Sequence, residues 1–279
     1  MVTLLSCRQA RTPAPLFSIC ASEDFWDILF PNVCRPALVN MSGMSSIPWE
    51  QKSSIAFWRG TDRGAVNWAI EVRDMYKGSP RKRFLDEWAN NDDFDMAFLE
   101  DDLLNATVVN TDPSFVPLDQ WPRWRYLLDL PGNGYSGSLK QKLTASSAVL
   151  FLNDVNVPGA KPVYEHYHGG LQDMVHILLV SMGTAGEKVK WAREHDAEIK
   201  EMVRNANRYM EDFEKLTRCY LWFLLTRLAS LLRYQPRHEQ TEAFGQASVR
   251  VMTVHRRPLR KEAAVFRREC ERLRSSNET

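Results

Sequence analysis

Between Tyr126 and Leu143 the chain reads YLLDLPGNGYSGSLKQKL. Gly132, Gly134 and Gly137 crowd beside Pro131, so the middle of this stretch cannot be regular structure. Glycines let the main chain approach a phosphate with no Cβ in the way. The hydroxyls of Ser136 and Ser138 can donate to its oxygens, and Lys140 or Lys142 can add positive charge. The chemistry on offer is the holding of a phosphate or diphosphate. The pattern lacks the G-x-x-x-x-G-K-[ST] spacing, which excludes an ATP-type phosphate loop. The three glycines do fit G-x-G-x-x-G, but Asp154 is the sole acidic residue near the expected place for a ribose contact, which does not favour NAD. The plainest alternative is a turn with a helix cap. A second strand end carries similar chemistry: FWRG closes with Arg59 and Gly60, followed by Thr61. Arginine's planar fork suits phosphate oxygens, although a surface ion pair would use it equally well.

Such residues need strand ends to hold them. SSIAFWRG, residues 53–60, is an apolar run stopped by glycine and predicts a buried strand. Residues 65–76 have helical spacing, and another helix is expected to start at about Arg81. Phe94, Met96 and Phe98 alternate, which favours a short strand. RYLLDL predicts a strand, SLKQKLTASS a helix beginning near Ser138, and AVLFLN a second buried strand. Strand, helix and strand at this spacing make a βαβ unit with parallel strands. MVHILLVSM adds a third apolar run. From Glu187 onwards Ile199, Met202, Val203, Ala206, Tyr209, Met210 and Phe213 recur at helical steps. The expected class is α/β with alternating elements.

The bulk numbers permit this. The chain has 279 residues, 44% hydrophobic and 25% charged, with a net charge of +1. It is no polyanion binder as a whole. The last 30 residues hold nine basic and four acidic side chains, a surplus of +5 that reads as a solvated tail; nucleic acid is not an expected partner. CYLWFLLTRLASLL, residues 219–232, is too short for a membrane span and is interrupted by Arg227; it reads as a buried helix. The five cysteines include no C-x-x-C pair, so no metal site is expected.

PWEQKSSIAFWRG, PRKRFLDEW, FDMAF, RYLLDLPGNGYSGSLKQKLTASSAVL and YEHYHGGLQDMVHILLV, in that order, resemble glycosyltransferase family 90, the capsule-associated-protein group that includes Rumi-type protein O-glucosyltransferases. PLFSICASEDFWDILFP and RCYLWFLLTRLASLL resemble the segments flanking that series. The resemblance implies a GT-B-like fold of two Rossmann-like halves. It also implies inverting transfer of a sugar, glucose or xylose, from a UDP-sugar to a protein or glycan acceptor hydroxyl, with no metal or other cofactor. The implied location is the endoplasmic reticulum or Golgi lumen. Position by position it carries donor binding to Arg59, Gly60, Thr61, Arg81 or Arg83, Gly134, Tyr135, Ser136 and Glu165. Glu165 falls where the family binds ribose hydroxyls. Ser138 stands where many members have an arginine, and His176 matches a histidine of the family.

The departures lie at the start. Residues 1–15 contain nothing like the V-R-D-Y-P segment that carries the family's catalytic aspartate; Asp27 matches a different aspartate with a structural role. The expectation is one UDP-sugar-binding half, with the N-terminal half and the catalytic base largely missing. Cys219 matches a family cysteine whose partner is expected in the missing part. The expected organisation is a remnant of the acceptor-side domain over 1–50, a Rossmann-like domain over 51–186, C-terminal helices over 187–235 and the basic tail over 236–279. The alternative to an active transferase is a non-catalytic module that binds UDP-sugar or a partner.

Overall fold

A computed structural model describes residues 17–21, 28–31, 47–62, 80–99, 114–132, 136–153 and 163–231. Two short strands, β1 (Phe17–Ser18) and β2 (Ile28–Leu29), pair in parallel. The main sheet has five parallel strands: β3 (Ser53–Gly60), β4 (Phe94–Phe98), β5 (Trp124–Asp129), β6 (Ala148–Leu152) and β7 (Leu178–Val180). Helix α1 (Pro80–Trp88) precedes β4, α2 (Leu139–Leu143) joins β5 to β6, and α3 (Ala185–Glu194) and α4 (Asp196–Leu231) follow β7. The expected strands over 53–60, 94–98, 125–130 and 148–153 are all present, and the glycine stretch joins β5 to α2 as a βαβ unit requires. The expected helix over 65–76 lies outside the described residues, as do Asp27, Asp154 and the basic tail.

The strand order is β4-β3-β5-β6-β7. This is the Rossmann-like doubly wound pattern: the chain builds outward from β3 in one direction to β4, then reverses to β5, β6 and β7. Alternation along the strands explains both faces. Ala56, Trp58, Tyr126, Leu128, Ala148 and Leu150 point to one side, against Phe84 of α1, Val189 of α3 and Ile199, Met202 and Val203 of α4. Phe57 and Leu127 point to the other, against Trp121 and Ala145. Both faces are covered, as expected for a parallel sheet, so its strands read as nearly unbroken apolar runs.

Side chains tie these layers at their edges. Arg193 of α3 donates to the Ser54 carbonyl (2.9 Å and 3.1 Å) and to Asp93 (2.5 Å), fastening the starts of β3 and β4. Trp49 donates its indole N–H to Asp196 at the start of α4 (2.6 Å). Lys52 is buried below β3 and donates to Ser146 O (2.5 Å) and Ser147 Oγ (3.2 Å); burial pushes its pKa down to about 8.

The chain divides into two compact units, Met1–Glu211 and Asp212–Thr279. The sheet belongs to the first. In the second, Cys219 is disulfide-bonded, which corrects the expectation that its partner lies outside this chain. The run over 219–232 is helical through Leu231, yet Phe223 is 60% exposed and Leu225 52%. A continuous apolar run puts apolar side chains on every side of a helix, so the expectation of a buried helix held for its conformation and not for its whole circumference. No helix among the described residues is long and apolar enough to cross a membrane.

Candidate functional site

In a doubly wound sheet the ligand crevice opens where the winding reverses, beyond the carboxyl ends of the strands. Here that point lies between β3 and β5, which pair directly (Phe57 opposite Leu127). Gly60 and Thr61 leave β3 there, and Leu130, Pro131 and Gly132 leave β5. Arg81, in the first turn of α1, joins the two ends: its guanidinium donates to the carbonyls of Thr61 (2.9 Å), Pro131 (3.0 Å) and Leu130 (3.3 Å). It also lies 5.5 Å from the ring centre of Trp58. Arg83, two residues on, is half-buried on a different side of the helix, since positions i and i+2 do not share a face. Of the two candidate arginines, the fold brings Arg81 to the strand ends.

Gly60 has a local reason. A Cβ there would stand 2.6 Å from the Trp58 ring, which folds back across it. Arg59 points to the opposite face of the sheet. Its guanidinium pairs with Asp95 on β4 (2.6 Å) and donates to the carbonyls of Trp58, Asp95 and Ser114 (2.9 Å each). The side chain is 12% exposed, so it acts first as a brace between β3, β4 and the segment at Ser114.

Gly134 and Tyr135 lie outside the described residues. The rest of the glycine stretch is anchored by Asp129, the last residue of β5. Asp129 is 1% exposed, and its Oδ1 accepts from Ser136 Oγ (2.6 Å) and from Lys142 Nζ (2.7 Å). Burial pulls the Lys142 pKa down while Asp129 holds it up. Ser136 and Lys142 were both candidates for the ligand; the side chain of each is bonded to the strand end. Ser138 opens α2 through its carbonyl, which accepts from Lys142 N (3.0 Å); its hydroxyl makes no cap. Lys140 is half-buried and lies 5.2 Å from the ring centre of Tyr167.

That ring carries the second half of the site. Tyr167 is fully buried and donates its hydroxyl to Glu165 Oε2 (2.7 Å). Its carbonyl accepts from Tyr209 of α4 (2.6 Å), and Gly170 leaves room for that phenol, because a Cβ would sit 2.4 Å from the oxygen. Tyr164, next to Glu165, forms an antiparallel bridge with Ala21 in the N-terminal segment. Glu165 is 3% exposed. His168 Nε2 lies 3.8 Å from Glu165 Oε2, and the imidazole meets Phe151 of β6 edge-on (6.3 Å). Burial pushes the pKa of His168 down to about 4 against a counter-pull from Asp129, so it is neutral near pH 7. Lys140 deepens the same downward shift at His168 and at His166, which burial also takes to about 4. His168 therefore lies within electrostatic reach of Asp129, Lys140 and Glu165. His176 is apart from them: its Nδ1 accepts from Gln172 N and its ring leans on Tyr209.

Asp129, Tyr167 and His168 were not singled out from the sequence. The available signal was an aspartate at the end of an apolar strand, since a buried carboxylate requires partners. Among the described residues no group of three acidic, histidine or cysteine side chains is placed to hold a metal ion.

Comparison with known proteins gives one family and several relatives. The model of the family described as glycosyl transferase family 90 matches residues 3–270. Protein O-glucosyltransferase 2 of Danio rerio is 27% identical over 210 residues, covering 70% of this chain and 38% of that protein. Protein O-glucosyltransferase 3 of Mus musculus is 24% identical over 240 residues, and that of Homo sapiens 23% over 241; each alignment covers 44% of the relative. The chain thus spans about two fifths of the length of the curated relatives it matches.

Proposed function

Because the chain belongs to glycosyltransferase family 90, we propose that its parallel sheet binds a UDP-sugar and that the chain takes part in transferring the sugar, with inversion, to an acceptor hydroxyl on a protein. Glucose is the favoured sugar, since the relatives are named as O-glucosyltransferases. A lumen of the secretory pathway is the proposed setting, and no metal is assigned a part.

The reading rests on one observation: the carboxyl ends of β3 and β5 meet at the reversal of strand order and are tied there by Arg81. In transfer, the bond from the anomeric carbon to the diphosphate oxygen breaks, its electrons remain on UDP, and the acceptor oxygen forms the new bond from the opposite side, giving up its hydroxyl proton to a base, a role assigned to none of the described residues. The donor site's task is to stabilise the charge gathering on the diphosphate. We assign that to the main chain of Gly60, Thr61, Gly134, Tyr135 and Ser136 to Ser138, to the charge of Lys140, and to Arg81 and Arg59 acting through their fields. Glu165, oriented by Tyr167, is assigned to the ribose hydroxyls.

Titration calorimetry with UDP and a transfer assay with labelled UDP-glucose test this together. Expected are UDP binding and label on a protein acceptor. UDP binding with no transfer would favour the alternative, a non-catalytic UDP-sugar-binding module. No UDP binding at all would remove the donor-site reading and leave only a module that binds a partner.

A further inference from the structure

The buried Asp129–Lys142 pair lies where a strand end would ordinarily be apolar, as Leu128 and Leu130 on either side are. Replacing such a pair with apolar side chains is often neutral or stabilising, so stability alone is a poor reason for it. Geometry is a better one. A single oxygen, Asp129 Oδ1, accepts from Ser136 at the exit of the glycine stretch and from Lys142 near the end of α2. These two donors flank Gly137 to Gln141, so the strand end holds both ends of that segment at once. Ser136 is 8% exposed and Lys142 2%. Lys142 also lies 5.5 Å from the ring centre of Trp121, on the face of the sheet away from Trp58. A hydroxyl that donates its one proton to a carboxylate has none left for a phosphate.

From this geometry we infer that Asp129 is a positioning residue: it takes Ser136 and Lys142 out of ligand contact and uses them to fix Gly137 to Gln141 in the arrangement that receives the donor diphosphate. The inference rests on the proposed UDP site and deepens it. Recognition at this loop then falls to main-chain N–H groups and Lys140.

Three variants separate the roles. Ser136→Ala removes one anchor, Ser136→Thr keeps the hydroxyl, and Asp129→Leu with Lys142→Met removes both charges together, leaving neither unpaired. Hydrogen exchange over residues 130–143, thermal unfolding and UDP affinity are measured on the whole chain. Expected are faster exchange in this segment and UDP affinity lowered at least fivefold for Ser136→Ala and for the double variant, at little change in melting temperature, with Ser136→Thr restoring both. Unchanged affinity, or lowered affinity with unchanged exchange, would overturn the inference; the latter would mean that these side chains touch the ligand themselves. Should the double variant fail to fold, Ser136→Ala and Ser136→Thr decide. Should the unaltered chain not bind UDP, the donor-site reading fails by itself, and exchange in Ser136→Ala still decides whether the anchor holds the loop.

Discussion

Lys140 and Lys142 stand two positions apart in one short helix, and their sequence context gives them equal claim to an anion. The fold separates them, because positions i and i+2 face different ways. Lys142 is turned under the sheet onto Asp129; Lys140 stays half-buried beside Tyr167. Lys142→Met should therefore act on stability. It leaves Asp129 buried without its cation, at a cost of about 3–5 kcal/mol, read as a lower urea midpoint. Lys140→Met should leave stability within about 0.5 kcal/mol and weaken UDP binding roughly tenfold, equivalent to about 1.4 kcal/mol. Calorimetry and urea unfolding on both variants check the pair; the opposite pattern would exchange the two roles. The same logic applies to Arg59 and Arg81. Both were legible as anion-type residues, but side-chain alternation sends Arg59 to the face carrying Asp95, while the first turn of α1 brings Arg81 across both strand ends.

At the scale of elements, β3 and β5 owe their positions to simple rules. Apolar runs of strand length were readable, and so was the break at Gly60. The reason for Gly60 was not. It lies in a contact between residues on one face of one strand, where the Trp58 ring lies over the glycine and under Arg81. Gly60→Ala should force that indole to move, with a loss of about 1–3 kcal/mol in urea unfolding. Trp58 fluorescence would report the same displacement; an unchanged midpoint and an unchanged spectrum would show that the ring yields without cost. Helix α2 was expected to begin near Ser138, and it starts at Leu139 with Ser138 at the cap position, but it ends at Leu143. The TASS residues that follow were expected to prolong it. Instead Ser146 adopts a positive φ of 51° and Ser147 bonds to Trp124 O, turning the chain into β6. Serine's local bonding to main-chain groups competes with the helix, and tertiary contacts decided the outcome.

For the molecule as a whole, basic groups drawn out of water shape the response to pH. His166 and His168 have pKa values pushed down to about 4, and Lys52 to about 8, each chiefly by burial. In every case the unfolded chain binds the proton more readily than the folded one. Stability should therefore rise with pH between about 4 and 6.5 through the histidines, and again from about 8 to 10.5 through Lys52. Urea midpoints across pH check the sign. His168→Phe should flatten the acidic limb; an acidic limb as steep as the unaltered chain's would mean that this imidazole titrates freely. By itself, the sequence determined that five apolar strand-length runs alternate with helical stretches and that two of them end in glycine with anion-type neighbours. Those are local properties, set by side-chain period and by main-chain freedom. Only the tertiary structure decided which strands are neighbours, that winding reverses between β3 and β5, and which cations are bound inward. Strand order and charge pairing join residues far apart in the chain, such as Lys52 with Ser146 and Arg193 with Asp93. Their free energy depends on burial and distance, which no window of sequence contains.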